Sequence, residues 1–123
     1  MSKTVLIVNK DHSLPSPLQA VYCDSFLCRL RGLMFRSHLE AARGLLLVQG
    51  RDSRVDTSIH MLFVYMDLGV IWINTAKAVV DTVLARSWRL AYAPRQAARY
   101  ILEIAPTRLG EFQIGDHLEF QNA

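Results

Sequence analysis

The chain has 123 residues, of which 51% are hydrophobic and 20% charged, a balance that excludes a disordered tail and fits one compact domain over 1–123. With 14 basic and 11 acidic residues the net charge is +3, short of the dense basic stripe expected of a nucleic-acid module. The longest apolar stretch, Met61 to Ile73, is broken by Asp67 and Gly69 and is too short to span a bilayer. The N-terminal run Thr4 to Val8 is too short for a signal-peptide core.

In chain order, Val5–Val8 is β-branched-rich and bounded by polar residues, and reads as a strand. Pro15 and Pro17 mark a loop, and Leu18–Cys23 reads as a second strand. Cys23 and Cys28 are the only cysteines. Their spacing is not the two-residue gap of zinc or redox motifs, and two free thiols in a reducing cytoplasm are expected. Asp24 or Ser25 is a plausible N-cap for a short helix near 25–34. Phe26, Leu30, Leu33 and Met34 would share its apolar face, with Cys28 on the outward side. Gly32 falls where a left-handed C-terminal cap is common.

Strand signals follow at Gly44–Val48, Ser58–Val64, Val70–Ile73, Ala78–Leu84 and Arg99–Ile104. Asp67-Leu68-Gly69 forms a bend or bulge, and Gly115-Asp116 a turn before the alternating His117–Phe120. Seven or eight short strands with one helix predict a mainly β fold, an antiparallel β-sandwich or partly closed barrel.

Arg29-x-Arg31-Gly32-Leu33-Met34-Phe35-Arg36-x-x-Leu39, followed by Gly44-Leu45-Leu46-Leu47, resembles the signature of the domain-of-unknown-function 192 family. Ile59-His60-Met61, Val70–Asn74, Tyr100–Glu103 and Gly115-Asp116 are similar to later segments of that family, so the likeness covers about 21–120. It implies a small β-rich, sandwich-like fold with one helix, and no assigned reaction. The chain departs from the family pattern at three places. Asp67-Leu68-Gly69 stands where a Pro-Leu-Asp or Pro-Ile-Asp triplet is usual, Ala105-Pro106 where a glycine is usual, and Leu45 where methionine is common.

Several side chains could carry chemistry. Arg29, Arg31 and Arg36 place three guanidiniums beside the helix end, suited to carboxylate or phosphate, or to pairing with Glu103 or Asp67. His60, between Ile59 and Met61, could serve as base, anion contact or plain surface histidine. No second His, Cys or acid stands at a ligand spacing from it, so no metal is implied. Asp67 is either the polar floor of a pocket or a turn cap. The arginine-rich stretch around Trp88 and Tyr92 could stack bases or sugars, or form an ordinary loop rim. No phosphate loop, nucleophile elbow or paired-carboxylate spacing is present. The reading is therefore a module binding an anionic or polar small molecule through Arg31, Arg36, His60, Asp67 and Trp88, without a cofactor. The alternatives are a protein-interaction or structural accessory domain, and a hydrolase or isomerase using His60 and Asp67. Nucleic acid and membrane are disfavoured as partners, a cytoplasmic location is expected, and the oligomeric state is left open.

Overall fold

A computed structural model of the chain describes residues 3–123. Seven strands form one mixed sheet: β1 (Lys3–Asn9), β2 (Gln19–Cys23), β3 (Arg43–Ser53), β4 (Leu68–Ile73), β5 (Val79–Ala85), β6 (Ala98–Ile104) and β7 (Leu118–Asn122). Their order across the sheet is β5-β4-β6-β3-β2-β1-β7. The fold is mainly β, as the patterning predicts.

Five of the six neighbouring pairs are antiparallel, and β2–β3 is parallel. The all-antiparallel expectation fails there because α1 (Phe26–Arg31) lies in the connection and carries the chain back to the end from which β2 began. Parallel neighbours need such a crossover. The sheet curls without closing into a barrel. Its edge strands approach through one isolated bridge, Ala78–His117, with the Val79 N–H donating to the Asp116 carbonyl at 2.8 Å.

Both faces of the central strands are covered. Along β3, Leu46 and Val48 join one apolar cluster with Val5, Ile71 and Leu102, while Leu45 and Leu47 join another with Met61, Trp72 and Ile101. The same alternation divides Val70 and Trp72 from Ile71 and Ile73 on β4. An unbroken apolar run fits a strand that has no wet face.

Three local expectations are corrected. Ser58–Val64 is not a strand: Ile59 makes a single bridge to Tyr92, and Phe63 takes φ 60°, which ends the extended conformation. Cys23 and Cys28 are bonded to each other, and the cytoplasmic expectation loses the support it drew from free thiols. The bond also inverts the predicted helix orientation. Because Cys23 is 1% exposed, tethering Cys28 to it turns the opposite side of α1 outward, leaving Phe26 at 73% and Leu30 at 57% exposure. Of the four apolar residues assigned to the packed face, only Leu33 is buried. The ends of α1 match the sequence: the Ser25 hydroxyl accepts from the Cys28 N–H, and the Gly32 N–H donates to the Cys28 carbonyl.

A 3-10 helix (Pro106–Glu111) adds a second helical element. Its Arg108, 3% exposed, donates to the carbonyls of Ser16, Pro17 and Ala41 and to the Glu111 carboxylate, tying two loops to the sheet. At the closing corner Asp116 accepts from Asn9, the Gln113 N–H and His12. Burial alone would raise its pKa, but those hydrogen bonds outweigh burial and hold it below the usual carboxylate value. No helix among the described residues is long and apolar enough to cross a membrane.

Candidate functional site

The turn Gly32–Phe35 follows directly on α1, with Gly32 at φ 49°, a left-handed value that glycine adopts without strain. Beneath it runs β6. Glu103 on that strand stands opposite Leu45 of β3 on one side and Val70 of β4 on the other, so its side chain shares the sheet face that carries Leu47 and Ile101, in the apolar cluster that Met61 joins from outside the sheet. A carboxyl placed there meets apolar neighbours and the underside of the turn. Glu103 is 5% exposed, and its Oε1 has no hydrogen-bond partner. Desolvation raises its pKa from 4.5 to about 7.

Above this carboxyl lies a cavity of about 200 Å³. Arg29, Arg31 and Gly32 border it from the helix end, Gln49 from β3, and Asp56 and His60 from the segment after β3. A Cβ built on Gly32 would stand 3.9 Å from Glu103 Oε1, so any other residue would partly roof the carboxyl. Arg29 is committed elsewhere, donating to the carbonyls of Asp24, ahead of α1, and Val48 of β3. The Arg31 and His60 side chains make no hydrogen bond or ion pair among the described residues. His60 is exposed between the buried Ile59 and Met61. That short segment is pinned by Ile59–Tyr92 and Met61–Arg89 backbone hydrogen bonds of 2.8 and 2.9 Å.

The residues expected to form one site are distributed over three places. Arg31 and His60 share the cavity above Glu103. Arg36 lies in a separate, wider groove of about 770 Å³, with His38, Glu40 and Arg43, and Arg31 borders both hollows. Asp67 accepts from Arg86 at 3.1 Å and from the Ser87 N–H at 2.8 Å, and it pairs with neither Arg31, Arg36 nor His60. Trp88, next in the chain, packs edge-on against Phe63 at 5.2 Å and tilts against Tyr65 at 5.7 Å, away from the cavity. Trp72 is buried and donates from Nε1 to the Thr57 carbonyl at 2.7 Å.

Phe35, Phe63 and Trp88 all have positive φ, between 60° and 67°, which is uncommon for bulky residues. Among the described residues no group of three His, Cys, Asp or Glu side chains is placed to hold a metal ion. The sequence pattern offers Glu103 only as a possible partner for an arginine. The missed signal is the neighbouring runs Leu45–Val48 and Val70–Ile73, whose two-sided burial extends to the strand between them.

The sequence profile of DUF192, described as Uncharacterized ACR, matches residues 6–120. A UPF0127 protein of Thermococcus kodakarensis is 41% identical over 95 residues, 76% of this chain and 59% of the relative. One from Thermococcus gammatolerans is 42% identical over 80 residues, 65% of this chain and 50% of the relative. The chain thus spans half to three-fifths of the length of these two relatives, against 87% of a Pyrococcus furiosus UPF0127 protein that is 34% identical over 106 residues. Among solved structures, a candidate transcription regulator from Sinorhizobium meliloti 1021 superposes with a TM-score of 0.81 at 21% identity, covering 98% of this chain and 94% of that one. A protein of unknown function from Novosphingobium aromaticivorans gives 0.79 at 15% identity, covering 96% and 84%. These two likenesses establish the fold alone.

Proposed function

We propose, for a chain that belongs to the uncharacterised DUF192 family, that it is a binding module for a compact polar ligand carrying an anionic group. The ligand lies between the end of α1 and β6. The observation that carries this reading is the unpartnered Glu103 carboxyl at the floor of a cavity whose rim holds the uncommitted Arg31 and His60 side chains. A buried polar atom without a partner is costly in a fold, and a ligand donor removes that cost. Arg31 offers a planar fork that suits a carboxylate or phosphate.

The test is a titration of small carboxylates and phosphate into the protein, followed by thermal shift. A ligand at 100 times its Kd adds about 2.7 kcal/mol, a rise of roughly 10 °C for a chain of this size. Arg31→Ala is expected to weaken binding by about 10- to 100-fold, the range for a charge-assisted hydrogen bond. No shift with any anion, or shifts indifferent to Arg31 and His60, would refute the reading.

A second reading, a protein-interaction domain, draws support from the exposed Phe26, Leu27 and Leu30 of α1 and the surface aromatics Phe35, Phe63, Tyr65 and Trp88. Exposed apolar clusters often mark such surfaces. Concentration-independent monomers by light scattering, with no change on Leu27→Asp, would count against self-association through the helix face.

A further inference from the structure

The cavity carries opposite charge capacity at two depths. On the floor Glu103 is flanked along its sheet face by Leu45 and Val70, and its Oε1 meets no donor. At the rim the Arg31 guanidinium is free of protein partners among the described residues and borders the same space. Gly32, between them, adds no side chain over the carboxyl. The volume of about 200 Å³ corresponds to roughly six or seven waters at ~30 Å³ each, below the ~300–1,000 Å³ of drug-sized pockets. The occupant is therefore a molecule of few heavy atoms.

An anion alone would leave the buried carboxyl unpartnered. An amine alone would leave the rim guanidinium to water. A molecule carrying both groups satisfies both ends, and charge-assisted hydrogen bonds are the strongest polar contacts available to it. We infer that the cavity takes a small zwitterion of amino-acid type, its ammonium on Glu103 and its carboxylate on Arg31; this rests on the binding reading above and names the ligand class.

The charged or titratable groups bordering the cavity with Glu103 are Arg29 and Arg31 from the helix end and Asp56 and His60 from the segment after β3; the bordering residues of β3 and β4, Leu47, Gln49 and Leu68, are uncharged. Asp56 is paired with Arg51 at 3.5 Å. With its pKa raised to about 7 by burial, Glu103 passes from acid to carboxylate across neutral pH, and an ammonium selects the carboxylate form.

The experiment is isothermal titration of the whole chain with glycine, methylammonium and acetate at pH 6 and pH 8. Glycine is expected to bind more tightly than either single-charge probe. Methylammonium affinity is expected to rise about tenfold between the two pH values, as the ionised fraction of Glu103 goes from about a tenth to about nine-tenths. Glu103→Gln should abolish methylammonium binding at both pH values while leaving acetate; Arg31→Ala should lose acetate and keep methylammonium. His60→Ala should keep the rise, because the ammonium is held by the Glu103 carboxylate and not by the imidazole. If Glu103→Gln fails to fold, the pH comparison on His60→Ala, which leaves Glu103 and removes the imidazole from the same cavity, still decides.

Acetate binding that needs Arg31, beside methylammonium binding indifferent to Glu103 and to pH, would overturn the zwitterion and leave the broader reading standing. Methylammonium affinity that falls as pH rises would also overturn it, since the ammonium would then not be held by the ionised Glu103 carboxylate. Failure of all three probes refutes the zwitterion, and the carboxylate and phosphate series then decides the broader reading.

Discussion

Replacing Glu103 by glutamine keeps the shape of the side chain and removes its titration, so it isolates one carboxyl's effect on stability. The carboxyl ionises at about 4.5 in the unfolded chain and at about 7 in the folded protein, where burial disfavours the charged form. Between those values the native state holds a proton that the unfolded state has released, and stability falls as pH rises. The contribution is fully favourable below 4.5, declines through the window from 4.5 to about 7, and is lost above it. Moving the carboxyl from 4.5 to about 7 corresponds to a stability change of about 3 kcal/mol. Because Glu103 is 5% exposed, solvent screening takes little from this figure.

Urea unfolding at half-unit steps from pH 4.5 to 8.5, on wild type and Glu103→Gln, gives the difference directly. The variant is expected to gain on the wild type by about 3 kcal/mol across that range. Any fixed offset between amide and acid hydrogen bonding leaves the slope unchanged. The buried aspartates cancel in the difference: Asp81, raised by burial but lowered further by its hydrogen bonds from Arg95 and Thr82, and Asp116 both lose their contribution on the acid side in each protein. Repeating the pair on a His60→Ala background removes the histidine that borders the same cavity. A difference that stays flat within about 1 kcal/mol would mean that Glu103 is hydrated or paired, and would remove the premise of the site.

Four other outcomes are expected. Reducing the Cys23–Cys28 bond, which closes a loop with a sequence separation of 5, should cost about 2 kcal/mol of stability on the chain-entropy account, read as a lower urea midpoint with reductant than without. Arg108→Met should cost about 3–5 kcal/mol, because Glu111 and three carbonyls lose a buried cationic partner; Arg108→Lys should recover little, since an ammonium cannot reproduce the fork, and equal midpoints for wild type and Arg108→Met would refute the latch. Gly44→Ala should destabilise measurably, since its Cβ would stand 3.0 Å from the Glu103 carbonyl oxygen and 3.2 Å from Ile104 Cγ2; urea midpoints decide it. Gly32→Ala should cost roughly 1–3 kcal/mol, because φ 49° with ψ −127° is a backbone open almost only to glycine, and should, in the folded fraction, block ligand heat in titration, whereas unchanged binding would mean that the carboxyl is reached from another side.

Apart from Ser58–Val64, whose extended pattern is ended by the positive φ of Phe63, the strands and helix ends were legible because their signals are local. Alternation located Val79–Ala85 and Ala98–Ile104 to within a residue or two, and a serine cap with a glycine stop placed α1. What failed depended on partners distant in the chain or on the direction of a face. The helix pattern Phe26, Leu30, Leu33, Met34 has the right period, but the covalent tether at Cys28 sets which side looks inward. Asp67 and His60 are near in sequence, yet Asp67 is taken by Ser87 and Arg86 across a loop contact that no local pattern marks. Nothing in the pattern around Arg108 distinguishes it from a surface arginine; its burial follows from where residues 16–17 and 41 pass.

Glu103 joins these two lessons. Alternation placed it on the side of β6 opposite Tyr100, Leu102 and Ile104, and that assignment matches the core division. Alternation by itself does not show that this side is covered as well. Leu45–Val48 and Val70–Ile73 leave neither neighbouring strand a polar face, so a strand between them is covered on both sides and its one acid is forced into the interior. A net fold stability of about 5–15 kcal/mol makes a ~3 kcal/mol cost at neutral pH and above substantial. A leucine at that place would pack between Leu45 and Val70 without the cost. The glycine over the carboxyl and the open volume beside it turn that expense into access: the acid is unsatisfied by the protein and reachable by a small donor, the arrangement a binding site requires and a structural core does not.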